Sequence, residues 1–132
     1  MGGTPSRSWR SEAASAGPVG IFGTGRNFLT ITRSGSYKGQ WAGVRFETKT
    51  PFITEGHEPV TLSISPPDRS RARLQAPTSP PWVPQLEVRF IPCPDQPRTA
   101  WPAGFLLHDR RPITLIVRRP GDPDRQLRVG RV

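Results

Sequence analysis

Cys93 is the one residue of this chain with intrinsic nucleophilic reactivity, and it stands between Pro92 and Pro94. A reactive thiolate wants a helix N-terminus, a neighbouring cation or a histidine partner. The flanking prolines argue against a helix start there, and no cysteine-hydrolase signature surrounds it, so the sequence reads as carrying a structural thiol. As the single cysteine it can form no intrachain disulfide, and a zinc site of spaced cysteines is excluded. His57, flanked by Glu55 and Glu58, and His108, followed by Asp109, are the only histidines. A general base needs an orienting partner and a metal site needs further ligands. Both histidines fall in polar, turn-like stretches, so the sequence predicts exposed rings with no catalytic or metal role. Gly20-Ile21-Phe22-Gly23-Thr24-Gly25 has the look of a phosphate-cradling loop, but such a loop follows a strand and opens a helix. Here a polar stretch precedes it and a β-like one follows, and the reading is a linker. No cofactor is implied.

What remains is charge. The net charge is +9, and of 19 basic residues only Lys38 and Lys49 are lysine. Such arginine-rich usage also accompanies a G+C-rich genome. The arginines are unevenly placed: Arg110, Arg111, Arg118, Arg119, Arg125, Arg128 and Arg131 face only Asp122 and Asp124 in the last 23 residues. If the chain makes a hairpin at Pro120-Gly121-Asp122-Pro123-Asp124, several of these guanidinium groups share one rim that could hold a polyanion. Arg69, Arg71 and Arg73 form a further run on one side of an extended piece. Single-strand nucleic-acid binders add exposed aromatics to such a groove. Trp41, Phe46, Phe90 and Trp101 sit at positions that read as core. Trp82, in Pro-Pro-Trp-Val-Pro, is the one aromatic expected at the surface.

The elements that must position these residues are short. Seventeen prolines and 13 glycines in 132 residues forbid long helices, because an internal proline removes a donor and clashes with the preceding turn. Residues 1–26 are rich in Ser, Gly and Ala, without periodicity except for a short Pro18-Val19-Gly20-Ile21-Phe22 patch, and read as a flexible, disordered tail. From Asn27 the pattern is β: Phe28 to Thr32, Gln40 to Lys49, Pro59 to Ser65, Leu86 to Ile91, Ala100 to Leu107, Ile113 to Val117 and Gln126 to Val132. Several of these alternate apolar and polar residues, the period of a half-buried strand. Ile113 to Val117 is apolar on both faces and is expected at the centre of a sheet, while Pro102 is expected at an edge or bulge. Seven or eight short strands with frequent turns predict an all-β, antiparallel, immunoglobulin-like sandwich over residues 27–132. No run of about 18 apolar residues is present, so no transmembrane helix is encoded. No apolar segment of signal-peptide type follows Met1 either.

The motif order from Gln40 to Val132 resembles a group of small uncharacterised actinobacterial proteins. The residues that carry the resemblance are Pro59-Val60-Thr61-Leu62-Ser63-Ile64, Glu87-Val88-Arg89-Phe90-Ile91-Pro92-Cys93-Pro94, Thr99 to Leu106, and Pro112 to Val117. It implies a compact β-sandwich held outside the membrane, with no biochemical activity attached. In that group a second cysteine just before the last long apolar strand can pair with the one matching Cys93. Here that position reads Arg111-Pro112-Ile113, and the signal or membrane segment is missing as well. The expectation is therefore a non-enzymatic extracytoplasmic domain with a binding or structural role. Its partner would be an anionic polymer or a cell-envelope component, with no metal. The alternative is a cytoplasmic nucleic-acid-binding protein that uses the C-terminal arginine rim.

Overall fold

A computed structural model describes residues 13–22, 41–77 and 82–130. Among them the chain forms nine strands and one turn of 3-10 helix: β1 (Ala13–Ala16), β2 (Val19–Phe22), β3 (Phe46–Glu55), β4 (Val60–Ile64), the helical turn Pro66–Asp68, β5 (Ala72–Gln75), β6 (Glu87–Phe90), β7 (Arg98–Leu107), β8 (Ile113–Arg118) and β9 (Arg125–Val129). They build two antiparallel sheets, one in the order β1-β2-β3-β7-β5 and the other β6-β4-β8-β9. From β3 to β8 each successive strand lies in the opposite sheet, so every connection crosses the sandwich.

Alternation decides what lies between the sheets. Val60, Leu62 and Ile64 of β4, Val88 and Phe90 of β6, Ile113, Leu115 and Val117 of β8, and Leu127 and Val129 of β9 are buried. They meet Phe52 of β3 and Ala103, Phe105 and Leu107 of β7 from the other sheet. The ring of Phe52 packs at 5.3 Å from that of Phe105 and 6.0 Å from that of Phe90. Trp101 lies against Phe90 at 5.1 Å, and its indole N–H donates to Thr54 Oγ1 over 3.1 Å, so its one polar atom is satisfied inside an apolar layer. Strand β8 does lie centrally, between β4 and β9.

Three expectations need correction. First, residues 13–22, read as part of a flexible tail, supply β1 and β2, and Val19 and Ile21 are buried in the core. The Pro18-to-Phe22 patch alternates over too few residues to mark a strand by itself, but pairing to β3 adds it to that sheet. Second, the strand placed at Gln40–Lys49 begins at Phe46 and runs past Pro51 to Glu55. Third, Arg69, Arg71 and Arg73 do not line one side, because the chain turns through Asp68 before β5 starts at Ala72. The strand expected at Phe28–Thr32 lies outside the described residues.

Pro102, expected at an edge or bulge, is in the middle of β7, directly opposite Pro51 of β3. Glu55 N–H donates to Pro18 O and Gly56 N–H donates to Pro97 O. Backbone donors alternate in direction along a strand, so the position of Pro51 points toward β2 and that of Pro102 toward β5. Strand β2 is last paired to β3 at Ile21–Phe52, and β5 to β7 at Gln75–Gly104. Each proline thus lacks a donor just where the neighbouring strand has ended. It is an edge position inside a long strand.

Candidate functional site

The structure divides the arginines predicted to share one rim. Arg110 and Arg111 precede β8, whereas Arg118 is its last residue and Arg119 follows it, so the two pairs stand at opposite ends of a strand about 17 Å long at 3.3 Å per residue. Arg128 pairs with Thr114 near the first end, and Arg125 with Val117 near the second. Sequence alone could not separate them, because a hairpin turn says that two strands are neighbours and not which arginines stand at which end.

At the first end the charges serve the fold. Arg71 Nη1 donates to Asp109 Oδ1 at 2.8 Å, its Nη2 donates to Asp68 Oδ1 at 2.8 Å, and the same guanidinium reaches the carbonyls of Arg111 and Pro112. Asp68 Oδ2 also accepts from the Thr114 amide at 2.8 Å and from Ser65 Oγ at 3.0 Å. Burial alone would raise the Asp68 carboxyl, but the bonds from Thr114, Arg71 and Ser65 outweigh it and hold the pKa below the ordinary value. At Asp109 burial is likewise outweighed by Arg111 and Arg71, and Asp109 in turn raises the pKa of Arg111. This clasp ties the helical turn before β5 to the loop that enters β8. A cleft of about 360 Å³ beside it is lined by Asp68, Arg71, Arg111, Thr114 and Arg128, among others. Arg110 stands over the Phe46 ring at 5.6 Å.

The second end is different. On the outer face of the four-stranded sheet, Thr61 of β4 pairs with Arg89 of β6 on one side and with Arg118 of β8 on the other. The two arginines are therefore on one face, two strand spacings or about 10 Å apart. Together with Arg119, Pro59, Pro120 and Asp124 they line a cleft of about 330 Å³. Arg118 is shared between Glu87 at 3.4 Å and Asp124 at 3.1 Å, and Arg119 reaches Asp122. Arg89 is exposed, and its guanidinium makes no ion pair or hydrogen bond among the described residues. The sequence reading passed over Arg89, because its membership depends on the register of β4 with β6 rather than on any run of charges. Arg125 lies aside, its stem against Gly17 in the β1–β2 turn.

A second concave site lies on the outer face of the five-stranded sheet. Lys49, Thr50 and Pro51 of β3, Pro102 and Ala103 of β7, and Trp82 line a cleft of about 200 Å³. Trp82 is 39% exposed, as the sequence predicted, and its backbone has φ 60°, in the left-handed region that bulky residues avoid. Both of its backbone groups are held: its N–H donates to Ala76 O at 2.8 Å, and its carbonyl accepts from Gln75 Nε2 at 3.2 Å. Lys49 Nζ stands 5.4 Å from the centre of the indole. Of the aromatics read as core, Phe90 is fully buried, and Phe46 and Trp101 pack against the core at its margin. Trp41 instead stacks on His108 at 4.2 Å, with Arg73 over its ring at 4.4 Å.

His57, Cys93 and His108 stand in three different loops, after β3, β6 and β7. His108 is engaged by that stack and by a contact of its Nε2 with Ala42 O at 3.0 Å, while His57 is exposed in the bend after β3. Cys93 is an exposed free thiol. No group of three or more His, Cys, Asp or Glu side chains able to hold a metal ion occurs among the described residues, and no helix among them is long and apolar enough to cross a membrane. Comparison with family models, with curated proteins and with solved structures finds no match to this chain.

Proposed function

We propose that this chain is a non-enzymatic binding domain that acts outside the cytoplasm. Its partner is an anionic polymer of the cell envelope, held at the Arg89–Arg118–Arg119 cleft. The observation that carries this reading is Arg89, an exposed guanidinium with no acidic partner among the described residues, across one strand from a second arginine on the same concave face. A guanidinium presents a planar fork that matches a carboxylate or phosphate with two parallel bonds. Arg118 and Arg119 already lie against aspartates, so an incoming anion would compete with Asp122, Asp124 and Glu87 for them, whereas Arg89 is available at once. The location outside the cytoplasm rests on the resemblance described above.

A nucleic acid would use the same arginines, but duplex DNA carries a charge every ~1.7 Å and rewards a long basic stripe. Two clusters about 17 Å apart, interleaved with aspartates, suit a local anionic group better. Binding to heparin and to duplex DNA across 50–200 mM salt separates the two. Heparin should bind more tightly than DNA at equal salt. Arg89→Ala should weaken heparin about tenfold, the worth of a charge-assisted hydrogen-bonded contact, while the Arg110→Ala, Arg111→Ala double variant leaves it within about twofold. Tighter binding to DNA, or no effect of Arg89→Ala, would overturn the proposal.

A further inference from the structure

The Trp82 cleft is on the sheet opposite the arginine cleft and calls for a different ligand. We propose that it docks a short proline-rich segment in polyproline II conformation, with an acidic residue at its flank, from a partner protein. Three independent features converge there.

The first is backbone. A tryptophan at φ 60° is held against its own preference by Ala76 and Gln75, and the result is to keep a large indole at the surface rather than in the core. Backbone held in a disfavoured region by its surroundings is concentrated at ligand clamps. The second is shape. Pro51 and Pro102 are opposite one another on adjacent strands, and their rings form two rigid apolar steps beside the indole. Position 102 is free for proline only because β5 stops at Gln75, which also leaves room for Trp82 at that place.

The third is hydrogen-bonding character. The exposed polar groups of the lining side chains are donors: the Lys49 ammonium and the Trp82 indole N–H, which has no partner among the described residues. The one hydroxyl in the lining belongs to Thr50, which is buried. The ligand should therefore bring acceptors to the Lys49 ammonium and the indole N–H. A polyproline II stretch does that, since its backbone carbonyls are unpaired and each proline lacks an N–H. Its preformed extended shape also loses little entropy on docking against aromatic rings. A sugar hydroxyl can accept from the same two groups, so an oligosaccharide is the competing ligand in the test. Lys49 adds a cation where an acidic flank of the segment can meet it.

The test is an NMR titration of the full chain with three probes: a neutral decaproline peptide, the same peptide flanked by glutamates, and a soluble oligosaccharide of N-acetylglucosamine. Trp82→Gly identifies the Trp82 indole signal and removes the platform, because glycine accepts φ 60° without strain. The expected result is that both peptides shift the Trp82 indole signal and that Trp82→Gly weakens peptide binding at least about tenfold. Lys49→Gln, an exposed change that leaves the fold intact, should lower affinity for the glutamate-flanked peptide to that for the neutral one. A Trp82 signal that does not respond to either peptide overturns the proposal, as does one that responds to the oligosaccharide alone. Peptide binding that survives Trp82→Gly overturns it too.

Discussion

Replacing Asp68 with alanine would release the helical turn before β5 from the loop that enters β8. Three bonds end on this carboxylate: from Arg71 Nη2 and the Thr114 amide at 2.8 Å each, and from Ser65 Oγ at 3.0 Å. The Asp68 side chain is 13% exposed and that of Arg71 11%, so neither is well screened by water. Breaking a buried ion pair by removing one partner costs about 3–5 kcal/mol. Arg71 keeps Asp109 as a second carboxylate, which places the expected loss at the low end, about 3 kcal/mol, or a fall in Tm of about 10 °C for a domain of this size. The folded pKa of Asp68 is lowered, so its contribution is complete above the unfolded carboxyl value near 3.8 and fades as the pH falls through the folded one. Urea unfolding of wild type and Asp68→Ala, followed by tryptophan fluorescence at pH 7, 5 and 2.5, measures both. The variant should lose about 3 kcal/mol at pH 7 and 5, and distinctly less at pH 2.5. As a control, Asp122→Ala, which removes an ion pair nearer the surface, should cost under about 1 kcal/mol. A loss below about 1 kcal/mol for Asp68→Ala at pH 7, or one undiminished at pH 2.5, would refute the clasp as an energetic unit.

Gly104→Ala should be among the most damaging single-methyl changes, because a Cβ there would lie 2.0 Å from the Thr48 backbone oxygen on the paired strand. A loss of about 3 kcal/mol or more in urea unfolding is expected, the upper part of the range for overpacking, and a neutral result would mean that β3 and β7 are further apart. Cys93, exposed and unpaired, should take up one maleimide under native conditions without loss of sheet structure by circular dichroism, and Cys93→Ser should change stability by no more than about 0.5 kcal/mol. Labelling only after denaturant is added would contradict its exposure. Trp101→Phe should cost about 1 kcal/mol, since it deletes the bond to Thr54 while keeping an aromatic ring against Phe90.

How far the sequence carried these features depended on whether they were local. Strands β4, β6 and β8 are legible from their own residues, because Val60-Thr61-Leu62 and Val88-Arg89-Phe90 each alternate an inward and an outward residue, and Ile113 to Val117 is apolar on both faces as a central strand requires. Strands β1 and β2 are not, because Ala-Ala-Ser-Ala and a two-residue apolar alternation carry no signal until β3 is there to pair with them. Pro102 illustrates the same limit. Its tolerance in a central strand depends on where β5 stops, a fact of register. Trp82 was legible as a surface aromatic from its proline-rich setting, whereas the prolines that face each other beside it are 51 residues apart in the chain. The arginine cleft was half legible. Arg118 and Arg119 stand out in a basic C-terminus, but Arg89 joins them only through the shared partner Thr61.

The central claim is that anions bind at one cleft rather than over a generally basic surface. Two-dimensional NMR of the arginine Nε–H groups during titration with a short heparin oligosaccharide reads this residue by residue. Arg89 should shift first and furthest, with Arg118 and Arg119 following as Asp122, Asp124 and Glu87 are displaced, while Arg110, Arg111 and Arg128 stay in place. Uniform small shifts over all of these arginines, or larger ones at Arg110, Arg111 and Arg128, would contradict it.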